Sequence, residues 1–405
     1  MPGQVILRKQ PPRPACGSAI VTCAGGTEGV LAGELNGLGM GEVREERGAV
    51  RCALRGCGDI PRLNRELRSA SRVLLPLLRT QVADFDGVYR AVAGLAWDRL
   101  LPVGQTFAIS ATSRSARMPD HRFLAMRCKD AIVDVQRRAQ GGERSSVDRR
   151  RPDVPVVVFL DDQELEVSLD TSGIPLHERG YRTEAGDAPL RETLAAAMLL
   201  HAGWPGPRAL VDPFCGSGTI VIEAALLARG RTPGAIRSRW AWQRWEWMNP
   251  GQAGSTGDSG DEARDGATGR RAAGGSPPVI LASDADPGMV EIARRNAQRA
   301  GVAADVRFSV ADAAERLSTM RERGGLIVSN PPYGGRLSPP DLERTYAETG
   351  SALKRLGSGW EAWFLLGQEA PARALGLAPD RRESMFNGGT AVEFCHYHIR
   401  GGRKR

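Results

Sequence analysis

The sequence predicts an α/β protein: an α+β region with small sheets, then a doubly wound parallel sheet with an antiparallel end. Three observations carry this. Beyond about residue 170, short apolar runs alternate with helical periods, the pattern of strand–helix crossovers. Before it, strands and helices follow no fixed order, and Asp161-Asp162 between two apolar runs marks a hairpin. Near the end, Asn387-Gly388 precedes an alternating run, a strong turn signal. The 405 residues, at about 150 per domain, make two or three domains. That is enough chain to bury a core without a metal or disulfide staple.

In the first half, 18–23 reads as a strand. Residues 28–38 read as a helix, with Val30, Leu31 and Leu35 at helical spacing. A strand is expected at 48–54, a helix near 64–72, a strand at 72–79 and a helix at 85–93. Residues 106–111 read as a strand. Residues 122–136 have helical spacing at Phe123, Met126, Ala131, Ile132 and Val135. Runs at 154–160 and 164–169 form the hairpin. In the second half, strands are expected at 209–212, 279–284, 305–310, 326–330, 362–367 and 392–399, with helices at 219–229 and 288–300. Residues 250–278 are rich in Gly, Ser, Asp and Ala without apolar period and read as a mobile surface loop.

The composition, 41% hydrophobic and 25% charged with mean hydropathy −0.31, is that of a globular protein. No run of about 18 apolar residues suggests a membrane span, and the first residues lack the features of a signal peptide, so a cytoplasmic protein is expected. The seven cysteines contain no C-x-x-C pair and fit neither a zinc site nor a disulfide scaffold; reduced, mostly buried thiols are expected. His177, His201, His396 and His398 show no metal spacing, and no metal is expected; the last two alternate on a strand and read as surface polar residues.

The net charge is +8, almost all of it from arginine. Residues 114–151 hold eleven basic and five acidic residues, a net of +6, so the excess is local, as a nucleic-acid-binding face would be. Trp240, Trp242, Trp245 and Trp247 interleave with arginines; anchoring in a core or loop is favoured over base stacking.

The strongest motif is LVDPFCGSGTIVIEAALLARG at 210–230. A strand runs into Asp212, a glycine-rich turn follows and a helix begins. Gly216 and Gly218 let the backbone approach a ligand, and the helix N-terminus offers free N–H groups. The third glycine of the dinucleotide fingerprint and the Gly-Lys-Ser of a phosphate loop are absent, which disfavours NAD and ATP and leaves another nucleoside ligand. The next strand ends in ASDADP, where an acidic residue can hold both ribose hydroxyls: Asp284, with Asp286 second. Asp312 follows the third strand and is read two ways, as acceptor for an adenine amino group or as a helix cap. The fourth strand ends in IVSNPPYGGRL at 327–337. Asn330 and the Pro331 carbonyl can each accept from one planar exocyclic amine, Pro331 and Pro332 stiffen the turn, and Tyr333 can stack on a base turned out of its helix.

DPFCGSGT at 212–219 followed by NPPY at 330–333 resembles a class I S-adenosylmethionine-dependent methyltransferase acting on amino nitrogens. RFLAMRCKDAIVDVQRR at 122–138 resembles the RNA-binding THUMP domain, and residues 170–204 resemble the segment joining THUMP to the catalytic domain in bacterial RlmL-type methyltransferases. The resemblance implies three parts: a ferredoxin-like region (1–70), a THUMP domain (71–168) and a Rossmann-like, seven-stranded class I methyltransferase domain (169–405, with 249–278 an insertion). It implies S-adenosylmethionine held by Asp212, Phe214, Cys215, Gly216, Gly218, Thr219, Asp284 and Asp312, and catalysis by Asn330, Pro331, Pro332 and Tyr333. Tyr181, Arg182 and the helix start at 188–194 are expected along the cofactor.

The implied reaction is methylation of guanine N2 in structured RNA, 23S rRNA first and tRNA second. The long form of the family carries a second methyltransferase half that does not follow here, so one modification is expected. The rivals are a DNA adenine-N6 or protein glutamine methyltransferase, disfavoured by the basic half, and a noncatalytic RNA-binding ribosome-assembly factor, disfavoured by the intact motifs.

Overall fold

The computed structural model describes residues 16–184, 190–205, 208–248, 278–333, 339–368 and 370–400. The expected loop at 250–278 and the basic tail at 401–405 lie outside the described residues, apart from Pro278.

The first half contains β1 (Ser18–Cys23), α1 (Glu28–Gly37), β2 (Gly41–Glu46), β3 (Ala49–Ala53), α2 (Asp59–Glu66) and β4 (Ala70–Gln81). These are followed by α3 (Phe85–Ala93), α4 (Trp97–Leu100), β5 (Thr106–Ser113), α5 (His121–Ala139), β6 (Ser146–Val147), β7 (Val154–Asp161) and β8 (Glu164–Asp170). The small sheets expected here are one eight-stranded sheet, ordered β2-β3-β1-β4-β8-β7-β5-β6. The reason is the length of β4. Its first residues, Ala70 to Leu74, pair with β1, and Leu74 to Gln81 pair with β8 on the other side. Pro76, which has no N–H to donate, sits at a register shift in that second ladder.

Helix α2 ends earlier than the expected 64–72. The backbone N–H groups of Arg68 and Ser69 donate to the carboxylate of Glu34 at 2.8 and 2.9 Å, so the chain leaves the helix and enters β4. Strand β2 (GEVREE) escaped the sequence reading because it is largely exposed and has no apolar alternation. One expectation about the cysteines is corrected: Cys16 and Cys57 form a disulfide. The hydrogen bond from Leu54 N–H to the Gly17 carbonyl, 2.9 Å, brings their segments together. The other five thiols are free, four of them buried.

The second half contains α6 (Glu192–His201), β9 (Ala209–Asp212), α7 (Thr219–Ala228), β10 (Ile280–Asp284), α8 (Pro287–Arg299), β11 (Val306–Val310) and α9 (Ala313–Ser318). Then come β12 (Gly325–Ser329), α10 (Pro339–Arg355), β13 (Trp360–Gly367), β14 (Arg381–Asn387) and β15 (Thr390–Ile399). The strand order is β11-β10-β9-β12-β13-β15-β14. Only β15 runs against the others, pairing antiparallel with β13 and β14. This is the seven-stranded doubly wound sheet expected. The chain moves outward from β9 to β11, then returns to lay β12 on the other side of β9. The carboxyl ends of β9 and β12 therefore flank a topological switch point, where open α/β sheets bind ligands.

The two halves are joined through the segment after α7. Trp240, Trp242 and Trp245 are buried in the hydrophobic core of the first half. Trp245 Nε1 donates to the Asp153 carbonyl at 3.0 Å, and Arg244 ion-pairs with the Asp153 carboxylate. The tryptophans are thus anchors, the reading favoured from sequence. His396 is only 14% exposed, its ring 4.4 Å from that of Trp363, so it is not the surface residue expected; His398 is exposed.

Candidate active site

Strand β9 (ALVD) is buried throughout, as a central parallel strand must be. After it the chain turns through Gly216 at φ 51° and Gly218 at φ 85°, left-handed conformations that a side chain would strain. At Gly218 a Cβ would also lie 3.0 Å from that of Ala293, so the glycine lets α7 and α8 approach. At Gly216 the nearest atom to such a Cβ is Met289 Cε at 3.9 Å, which leaves the backbone open on that side. Cys215 and Thr219 are buried, Phe214 is half-buried, and burial pushes the Cys215 thiol well up. A buried thiol with its acidity so suppressed is poorly placed to act as a nucleophile.

Asp284 ends β10 beside this turn. Its Oδ2 accepts from Gly216 N–H at 2.9 Å and its Oδ1 from Asp286 N–H at 3.0 Å, while the residue stays half-exposed. Asp286 is the N-cap of α8, accepting from Gly288 N–H at 2.7 Å. Asp312 caps α9 through Glu315 N–H at 2.8 Å, so the capping alternative is realised through its Oδ1.

Asp212 departs from the expected ligand contact. It is 1% exposed, and its Oδ1 accepts from Phe214 N–H at 3.2 Å and from the Ser329 hydroxyl. The carboxylate therefore latches the glycine turn to the end of β12 from below. Burial pushes its acid up to about 7, with the Ser329 hydrogen bond opposing.

Asn330 follows Ser329. Its Oδ1 is buried and, among the described residues, has no hydrogen-bond partner. Pro331 is buried, and Pro332 and Tyr333 are half-buried. The Pro332 carbonyl accepts from the hydroxyl of Tyr346 on α10 at 3.1 Å. The Tyr333 hydroxyl accepts from Asn387 Nδ2 at 3.3 Å, and its ring lies against Gly367, where a Cβ would fall 2.4 Å from Tyr333 Cδ2. The structure thus brings Asn330 to Tyr333 next to the glycine turn. Ser329, Tyr346, Gly367 and Asn387 were missed from sequence. Asn387 had been read only as a turn residue, and the others carry no local signal.

Tyr181 does not line an open cleft. It is buried, with its hydroxyl on Glu223 of α7 at 3.0 Å. Arg182 pairs with Glu192 at 2.7 Å, and residues 188 and 189 of the expected helix start lie outside the described residues. The segment is nonetheless held near the turn, because Asn296 Nδ2 donates both to the Glu184 carbonyl and to the Ser217 carbonyl. Among the described residues no group of three or more His, Cys, Asp or Glu could hold a metal, and no helix is long and apolar enough to cross a membrane.

The family described as RMKL-like, methyltransferase domain, matches residues 179–394. The chain belongs to the RMKL-like methyltransferase family. The THUMP domain family matches residues 82–170, and the RlmL ferredoxin-like domain matches 18–74. Among similar proteins, the ribosomal RNA large subunit methyltransferase K/L of Syntrophotalea carbinolica is 38% identical over 93% of this chain and 53% of its own length. That of Pseudomonas aeruginosa is 37% identical over 94% and 52%. This RMKL-like chain therefore spans about half the length of those relatives. Among solved structures, a "possible methylase" from Clostridium difficile 630 is 29% identical, with 96% of this chain and 100% of that one covered at TM-score 0.79. The SAH complex of SMU.472 is 27% identical, with 96% and 99% covered at TM-score 0.79.

Proposed function

We propose that this RMKL-like protein methylates the exocyclic N2 of a guanine in RNA, using S-adenosylmethionine, with 23S ribosomal RNA in the cytoplasm as the substrate. The observation that carries the reading is the unpartnered, buried Oδ1 of Asn330 at the switch point. A buried acceptor without a donor costs about 1–3 kcal/mol. Such a group persists where a ligand supplies the donor.

The residues present fit the cofactor. The open backbone at Gly216, the N–H groups at the start of α7 and the half-exposed carboxylate of Asp284 form a cradle for a nucleoside. S-adenosylmethionine, when bound, supplies an electrophilic methyl group on a positively charged sulfur. Asn330 Oδ1 and the Pro331 carbonyl accept the two amino hydrogens and aim the nitrogen lone pair. They also stabilise the positive charge that builds on that nitrogen as it gains a fourth bond. The Pro332 carbonyl already accepts from the Tyr346 hydroxyl of α10. Tyr333 offers a ring on which an extruded base stacks. The alkylated nitrogen is strongly acidic, so its extra proton passes to water without a dedicated base. The THUMP match and the basic stretch at 114–151 support an RNA substrate, and the relatives named for ribosomal RNA support that class.

The test is transfer of labelled methyl to total RNA from a strain lacking this protein, followed by nucleoside analysis. Label recovered as N2-methylguanosine in large-subunit RNA is expected. Label in transfer RNA changes the partner and keeps the chemistry. Label that survives ribonuclease overturns the RNA reading.

A further inference from the structure

We infer that Asn387, the last residue of β14, is a positioning residue that fixes the tip of the Tyr333 ring. The inference rests on the proposed reading of the site. A tyrosine at the end of a turn is free to rotate about two side-chain bonds, and a stacking platform needs that rotation stopped. Two contacts at opposite ends of the ring do so. At its base, Cδ2 and Cγ lie so close to Gly367 that a Cβ there would fall 2.4 and 2.8 Å away. At its tip, the hydroxyl accepts from Asn387 Nδ2 at 3.3 Å. The Gly367 contact, against the off-axis Cδ2, stops the ring turning about its own axis, and the hydrogen bond, on that axis, stops it swinging about Cα–Cβ.

Asn387 is itself held. It pairs with Thr390 across the turn, and the preceding Phe386 N–H donates to the carbonyl of Gly25 in the first half of the chain, 3.0 Å. Gly26 approaches the same strand so closely that a Cβ on it would lie 2.0 Å from the Ser384 carbonyl oxygen. The edge of the second sheet is thus braced by the turn between β1 and α1. The ring that receives the base is referenced, through two consecutive residues, to the half of the molecule that carries the THUMP match.

The experiment uses the full chain with Asn387→Ala, Tyr333→Phe and the double variant. Each single change is expected to lower kcat about tenfold, the effect of losing one hydrogen bond of about 1.4 kcal/mol in the transition state. KM for S-adenosylmethionine should be unchanged, and the double variant no worse than either single one. Losses that multiply to about a hundredfold overturn the inference, because the two groups then act independently. A second readout is independent of activity. The chain has five tyrosines, so ring-carbon labelling resolves the Tyr333 signal by NMR. The Tyr333 side chain should be more ordered about its Cα–Cβ bond in the unaltered protein than in Asn387→Ala, and equal order overturns the inference. If the unaltered protein methylates no RNA but that order still depends on Asn387, the reading of the site fails and the positioning stands.

Discussion

β9 and β12 lie side by side and end at the same switch point, and each end carries a buried side-chain oxygen. At the end of β9, Asp212 Oδ1 takes two hydrogen bonds, from Phe214 N–H and the Ser329 hydroxyl. One residue beyond the end of β12, Asn330 Oδ1 takes none among the described residues. In sequence both residues open a conspicuous motif, and both look like ligand contacts. In space one oxygen is spent on holding the frame together, and the other is held ready. The contrast separates a residue that builds the site from one that we propose does chemistry in it. It also implies a trade, since the frame residue adds stability and the chemical residue costs some.

The largest expected effect is on the chemical side. Asn330→Ala should lower kcat by about 10²–10³, the loss seen when one preorganised polar group is removed from a transition state. Isothermal titration should find cofactor affinity retained. Chemical denaturation should find the variant no less stable than the parent, because an unpaired buried acceptor has been removed. A clear loss of stability would erase the contrast.

Asp212→Ala should do the reverse. It strands the donors of Phe214 and Ser329 and should cost about 1–3 kcal/mol in a urea unfolding series. The smallest effect is one of slope. The Asp212 acid lies at about 7, against an ordinary value near 4. Between those values the folded chain holds a proton that the unfolded chain has released, so stability falls as pH rises from about 4 to about 7 and then levels off. Asp212→Asn keeps an acceptor for both donors and should flatten that interval in unfolding curves taken across it. An unchanged slope would show that another group titrates there.

Much of the catalytic fold was legible because parallel strands buried on both faces read as apolar runs, and ALVD, ILASD and LIVS all do. The strands that escaped, GEVREE, RRESMFN and the two-residue β6, are edge strands of their sheets with polar or exposed faces. Helix α6 was expected only at its start, because its residues are buried on nearly every side and show no stripe. Within the site, the glycine turn and Asn330 to Tyr333 were visible because each is contiguous. Ser329, Tyr346, Gly367 and Asn387 were not, because each acts on a residue distant in the chain or through a contact that no local pattern marks.

What the sequence by itself determined is the alternation of elements, the turn chemistry of Gly216 and Gly218 and the place of the tetrapeptide Asn330 to Tyr333 at a strand end, since all of these depend on neighbours a few residues apart. Tertiary structure alone decided which acceptors are already used. Asp212 is satisfied because Ser329, 117 residues away, reaches it, and Asn330 Oδ1 is not because no donor among the described residues does. Tertiary structure also merged the first half into one sheet through β4 and joined Cys16 to Cys57. The physical reason is the same in each case: a hydrogen bond or a bridge is a property of two groups in space, and a sequence displays them one at a time.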